Sequence, residues 1–193
     1  MKKQIKRIAY RLCIGLGAGL MVVAAVALAI WQWNIHAWEQ KAQGYVSTIT
    51  AQIPAPQNAV PEERSHNAMP VLSIDGKDFV GILEMPRYGS VLPVGADWGN
   101  VFANPRLFDG SVYDRTIQIG ATTQVGQYDF YREISVGDSV FFTDMEGNRF
   151  TYGVTDIHYE KHADQAALQQ KDAALTLFIK NVYSFEYIIL FCN

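Results

Sequence analysis

Two cysteines, four histidines and a lysine at the end of an apolar run are the side chains of this 193-residue sequence that could do chemistry. Nucleophilic catalysis needs a thiol, hydroxyl or amine activated by a neighbouring base, so the question is which of these residues have company. Cys13 lies inside a long hydrophobic stretch, and Cys192 closes the last apolar run. His36 follows the hydrophobic stretch, His66 sits in a polar, proline-rich segment, His158 falls in a predicted strand and His162 in the loop after it. None has a sequence partner, and each reads as an ordinary surface or core residue. No closely spaced Cys/His set has zinc-ligand spacing, and no metal or cofactor is expected. A disulfide between the two cysteines is not expected either, because a membrane should separate them. Lys180 differs: it stands where the run Leu175–Ile179 stops, the point at which a side chain can leave a sheet and enter a cleft.

The elements that must position these groups are legible from hydropathy. Leu175–Ile179 and Tyr187–Phe191 flank the polar break Lys180–Ser184, and both runs are uninterrupted by polar residues. Such runs suit adjacent strands buried on both faces. At the other end of the chain, Leu12–Trp31 contains no charge and is long enough, at about 1.5 Å per residue, to cross the ~30 Å hydrocarbon core. Lys2, Lys3, Lys6, Arg7 and Arg11 precede it, which places the N-terminus in the cytoplasm and the remainder outside. Bulky Ile30–Trp33 stands where a signal peptidase needs small residues, so a retained anchor is expected over a cleaved leader. The expected organisation is a basic tail at 1–11, a transmembrane helix at 12–33, a stalk and Pro-rich linker at 34–70, and a folded domain at 71–193. The helical pattern continues from Gln32 to about Thr50, and Glu62–Asn67 lies among four prolines.

From Val71 onward short β-like runs alternate with turn signals. Val71–Ile74 and Phe79–Met85 flank an Asp75-Gly76 pair, which favours a tight hairpin. Val91–Val94, Thr116–Gly120, Ser139–Thr143 and Phe150–Tyr159 are further strands, and Ala96–Asn104 reads as turn-rich with a brief helix. Asp164 can cap a short helix through about Gln170. The fold class expected is all-β: a closed barrel of about seven to eight strands with short helices. The formal charge of −3 hides an asymmetry, because removing the five N-terminal cations leaves 11 basic against 19 acidic residues, a net −8. So acidic a remainder repels phosphate backbones and argues against nucleic-acid binding.

Several segments, in order, resemble the sortases, membrane-anchored cysteine transpeptidases of Gram-positive bacteria. Val80–Pro86 followed by Leu92-Pro93-Val94 resembles the family's opening strands. Thr116–Gly120 resembles the strand leading to the catalytic histidine, and Ser135–Val140 with Phe150–Val154 the central hairpin. Ala174–Phe178 resembles the strand that ends at the catalytic cysteine. The resemblance implies a histidine, a cysteine and an arginine at the positions held here by Ala121, Lys180 and Tyr187. All three expected groups are absent. Alanine can neither give nor take a proton, and an amine at Lys180 would form a stable amide instead of a thioester.

The leading expectation is therefore a sortase-like cell-surface protein without activity, holding a sorting-signal peptide, a surface protein or a partner sortase at the former substrate groove. An active transpeptidase or hydrolase with a rearranged site, using Cys192, is the alternative. A structural accessory is the third reading.

Overall fold

The computed structural model describes residues 2–58, 68–99, 101, 104–169 and 172–193, with backbone alone at 2–14, 35 and 165. His66 and the cluster Glu62–Asn67 lie outside the described residues. The chain divides into two units, 1–38 and 39–193. The first is the apolar part of helix α1 (Lys2–Gln52), the one helix among the described residues long and apolar enough to cross a membrane.

The second unit begins with the last turns of α1. Tyr45, Val46 and Ile49 here meet Phe79, Ile82 and Met145, and Ile49 is fully buried. Spacing of three and four residues puts them on one helical face, so this stretch is held by the domain that follows it. A two-residue strand, β1 (Gln57–Asn58), pairs in parallel with β8 (Asn148–Glu160). Next come β2 (Leu72–Ile74), β3 (Lys77–Met85), β4 (Ser90–Gly95), β5 (Arg106–Asp109), β6 (Ile117–Thr122) and β7 (Ser139–Asp144). After β8 follow a single-turn helix α2 (Gln165–Leu168), then β9 (Leu175–Lys180) and β10 (Tyr187–Cys192).

Eight of these strands close a barrel in the order β8-β10-β9-β6-β5-β4-β3-β7 and back to β8. The expected closed all-β barrel with short helices is the observed fold. Asp75 and Gly76 both have positive φ, 50° and 71°, which is the two-residue turn that the right-handed twist of a hairpin requires. Alternation then sorts the faces. Leu83, Val94, Ile119, Phe142, Val154 and Leu177 fill the interior. Phe178, Ile189 and Phe191 point outward and are covered by Ala167 and Leu168 of α2. Strands β9 and β10 thus bury both faces, the reason no polar residue interrupts them.

One strand is added and two local expectations change. Residues 106–109 form β5, a strand with only one ladder pair to β4, Gly95↔Arg106. No helix forms among the described residues of Ala96–Asn104; Ala96 N donates to Asp78 O at 2.9 Å and Val101 N to Gly99 O at 3.0 Å in a run of bends and turns. Helix α2 is shorter than expected, one turn capped by Asp164, whose carboxylate accepts from Ala167 N at 2.9 Å.

Two buried carboxylates brace the hairpins. Asp144 accepts from Glu146 N and Asn148 N, both at 2.9 Å, and from Asn148 Nδ2 and the Tyr113 hydroxyl, both at 2.7 Å. Asp138 accepts from Arg87 Nη1 at 2.6 Å, from the Tyr88 hydroxyl at 2.5 Å and from Ser135 N at 2.8 Å. It pins the turn after β3 to the entry of β7.

Candidate functional site

The three positions singled out by sequence come together at one end of three adjacent strands. Parallel pairing of β6 with β9 sets Ala121 beside Ile179 and Thr122 beside Lys180. Antiparallel pairing of β9 with β10 sets Tyr187 beside Lys180. Register partners share a face, because successive side chains alternate across a strand.

That alternation separates Ala121 from the other two. Ala121 is buried in the barrel interior with Ile179, whereas Lys180 and Tyr187 lie on the outer face with Thr122. The β6 residue next to Lys180 on that face is Thr122, which a residue-by-residue match of the family pattern passes over. The period-two reading of Ile117–Thr122, with 118, 120 and 122 on one side, was the signal that could have found it. Thr122 is itself fully buried, and its hydroxyl has no hydrogen-bond partner among the described residues.

Lys180 is half-buried, and its ammonium makes no ion pair among the described residues. Its carbonyl accepts from Thr123 N at 3.0 Å, which anchors the loop after β6 to the end of β9. Beyond Lys180 the turn is organised by Asn181. Its Oδ1 accepts from Tyr183 N at 2.9 Å and Ser184 N at 3.2 Å, while its Nδ2 donates to the Tyr131 hydroxyl at 3.1 Å. This turn leaves Tyr183 and Phe185 exposed, and Phe185 takes the left-handed conformation, φ 61°.

Along the same outer face an aromatic cluster has no counterpart in the sequence reading. Trp98, from the loop after β4, packs on Phe108 of β5 at 4.9 Å and on Phe178 of β9 at 5.7 Å between ring centres. Phe108 and Phe178 meet edge-on at 5.3 Å. Gly120 makes room for them: a Cβ there would lie 2.5 Å from Cζ3 of Trp98. Trp98 and Phe108 nonetheless remain 49% and 38% exposed, so the cluster is a surface as well as a core. Gln127 ties the neighbouring loops together, its Oε1 accepting from Thr122 N at 3.1 Å and its Nε2 donating to Val101 O at 3.0 Å.

The remaining nucleophile and bases stand elsewhere. Cys192 pairs with Leu175, at the end of the sheet opposite Lys180, and is wholly buried; burial pushes its thiol up to about 12. His158 lies on β8 with its Nε2 3.2 Å from Asp156 Oδ2, and His162 follows that strand. Neither imidazole lies next to Lys180 in the register. Among the described residues no group of three or more His, Cys, Asp or Glu is arranged to hold a metal ion. Among the described residues the assembled outer face therefore offers the Lys180 ammonium, the Arg106–Asp97 ion pair and apolar aromatic area.

No family model matches the sequence, and no curated protein matches it. Solved structures do match the fold. Sortase C1 of Streptococcus agalactiae aligns with a TM-score of 0.52 at 17% identity, over 63% of this chain and 70% of that one. A pilus-related sortase C of Group B Streptococcus aligns at 0.51 and 13% identity, over 83% and 87% of the two chains. Sortase C-3 of Streptococcus pneumoniae aligns at 0.50 and 16% identity, over 83% of each. At these identities the likeness establishes the sortase-like barrel and nothing finer.

Proposed function

We propose that this chain is a membrane-anchored, sortase-like protein of the cell surface that binds a peptide or protein partner on the outer face of β6 and β9 and does not cleave it. The observation that carries this reading is Lys180 at the end of β9. An amine there is next to Thr122 and Tyr187 instead of an imidazole and a guanidinium. Thioester formation needs a thiolate with a proton donor for the departing amine and a cation for the developing oxyanion. Lys180 supplies no thiolate, Ala121 no proton and Tyr187 no positive charge. What the face retains is suited to holding an extended peptide. Half-exposed Trp98 and Phe108 present large, rigid contact area, and the Lys180 ammonium is available to a carboxylate or carbonyl.

The family resemblance brings in the class of partner: a sorting-signal peptide, a surface protein carrying one, or a partner sortase. The anchor would hold the barrel outside the membrane with its N-terminus in the cytoplasm. The alternative, an active enzyme built on Cys192, is opposed by the burial and raised pKa of that thiol, since only an accessible thiolate attacks.

The test is to present the full chain, in detergent micelles, with a fluorogenic sorting-signal peptide. We expect no cleavage above a buffer control, together with saturable binding that Trp98→Ala weakens about tenfold. Turnover that disappears on Cys192→Ala would establish the rearranged enzyme instead.

A further inference from the structure

The strands that carry Lys180 at one end open at their other end onto a cavity of about 310 Å³. It is lined by Arg115, just before β6, by Arg149–Tyr152 at the start of β8, by Val112 and Asn58, and by Asn193, whose carboxylate is turned to Gly153 N at 2.7 Å. This volume lies at the lower end of the range for small-molecule sites, about 300–1,000 Å³, and barrel mouths are a common place for them. We propose that this mouth is a second binding site, for a small organic acid: a carboxylate joined to a compact apolar body. The proposal does not depend on the peptide-binding reading.

Arg115 is the reason for an anion. It is an exposed arginine held at φ 60°, in the left-handed region that residues with a side chain seldom adopt. The loop that holds it there is tightly wired. Asp114 Oδ1 accepts from Ser111 N at 3.3 Å, from Thr116 N at 3.1 Å and from the Thr116 hydroxyl. Tyr113 fastens the same loop to buried Asp144. Gly110, at φ 73°, lets the loop pass so close that a Cβ there would sit 2.2 Å from Thr116 O. The nearest carboxylate in sequence, Asp114, is thus turned to its own backbone, and Arg115 forms no ion pair among the described residues. Strain kept in an otherwise over-determined loop is the kind found at ligand sites.

Arg149 is partly committed: its Nη2 donates to Glu84 at 2.7 Å, and its guanidinium lies 4.3 Å over the Phe141 ring. These partners, and its position next to inward-facing Phe150 on β8, put that guanidinium on the outer face of the barrel, so Arg115 is the cation left for a ligand. Arg115 is close enough to Tyr152 for its charge to pull that hydroxyl's pKa down, against the larger upward push of burial. Arg115 thus confers charge, Asn58 an amide, and Val112 and Phe150 an apolar floor. A bare inorganic anion would leave that floor unfilled. A planar carboxylate on an apolar body matches both the fork of a guanidinium and the floor.

The full chain in phosphatidylcholine nanodiscs would be titrated with phenylacetate, phenylacetamide and inorganic phosphate, followed by saturation-transfer NMR. We expect saturable binding of phenylacetate, about tenfold weaker binding of the amide, and a similar loss with Arg115→Gln but not with Arg132→Gln. Arg115→Gly separates function from structure. Glycine accepts φ 60° freely, so this variant should lose phenylacetate yet melt no lower than the parent. Equal binding of acid and amide, undiminished binding by Arg115→Gln, or no saturable binding at all would each sink the proposal. Tighter binding of phosphate than of phenylacetate would overturn the organic-acid assignment, and a lower melting temperature for Arg115→Gly would mean that the arginine is structural.

Discussion

Asp138 shows how much one side chain can organise. Burial alone would raise its carboxyl pKa, but hydrogen bonds from Tyr88, the Ser135 amide and Arg87, with the charge of Arg87, outweigh that and hold it below the ordinary carboxylate value. A depressed folded-state pKa means that the stabilisation is present above the unfolded value, about pH 4, and is lost as pH falls through the folded one. Asp138→Asn should therefore lower the melting temperature by about 3–8 °C at pH 7, and the gap to the parent should close below pH 4. Thermal melts at pH 3, 5 and 7 check this; a gap independent of pH would contradict the assignment of the charge. At this scale the sequence was a partial guide to the site. The position of Lys180 followed from where the apolar run stops, and Tyr187 from counting into the last strand. The inward turn of Ala121 and the place of Thr122 were readable only by alternation, once the edge of β6 was known. Trp98 and Phe108 were invisible, because nothing in a turn-rich segment indicates which strand it will fold back upon.

Among the elements, the strands with uninterrupted or alternating apolar runs were legible, and those without were not. β5, Arg106–Asp109, mixes two charges with two apolar residues over four positions and makes one pair with β4, so no periodicity could mark it. β1 is two exposed residues paired to β8 and is defined by its neighbour alone. Helix α1 was legible as far as about residue 50, but not that its last turns are part of the domain core. Ile49 is the test of that role. It is fully buried against Phe79, Ile82 and Met145, and Ile49→Ala should cost about 2–5 kcal/mol through lost contacts and the cavity left behind. Urea unfolding of the full chain in micelles measures it. A loss below about 0.5 kcal/mol, the usual size of a surface substitution, would show that these turns are a mere spacer.

For the whole molecule the decisive asymmetry is charge. Five cations precede the apolar helix and none directly follows it, so the domain should lie outside the membrane and the N-terminus inside. Protease added to intact protoplasts should then remove an epitope placed after Asn193. An epitope that survives while a cytoplasmic control is also protected would reverse the topology. The order of strands around the barrel has a consequence for how such a protein comes into being. β10 lies between β8 and β9, and β9 between β6 and β10, so residues 175–192 supply two neighbouring staves of the wall. Until they emerge, β6 and β8 are raw edges, each ready to pair with any strand at hand. β10 follows every other stave in the chain, so in the topology proposed above the domain would cross the membrane with its barrel open. Closure waits on the final eighteen residues of the wall, and long-range pairings of this kind form slowly. Whatever escorts the unfinished chain has to keep those two edges apart from other strands until the last stave slides between its neighbours.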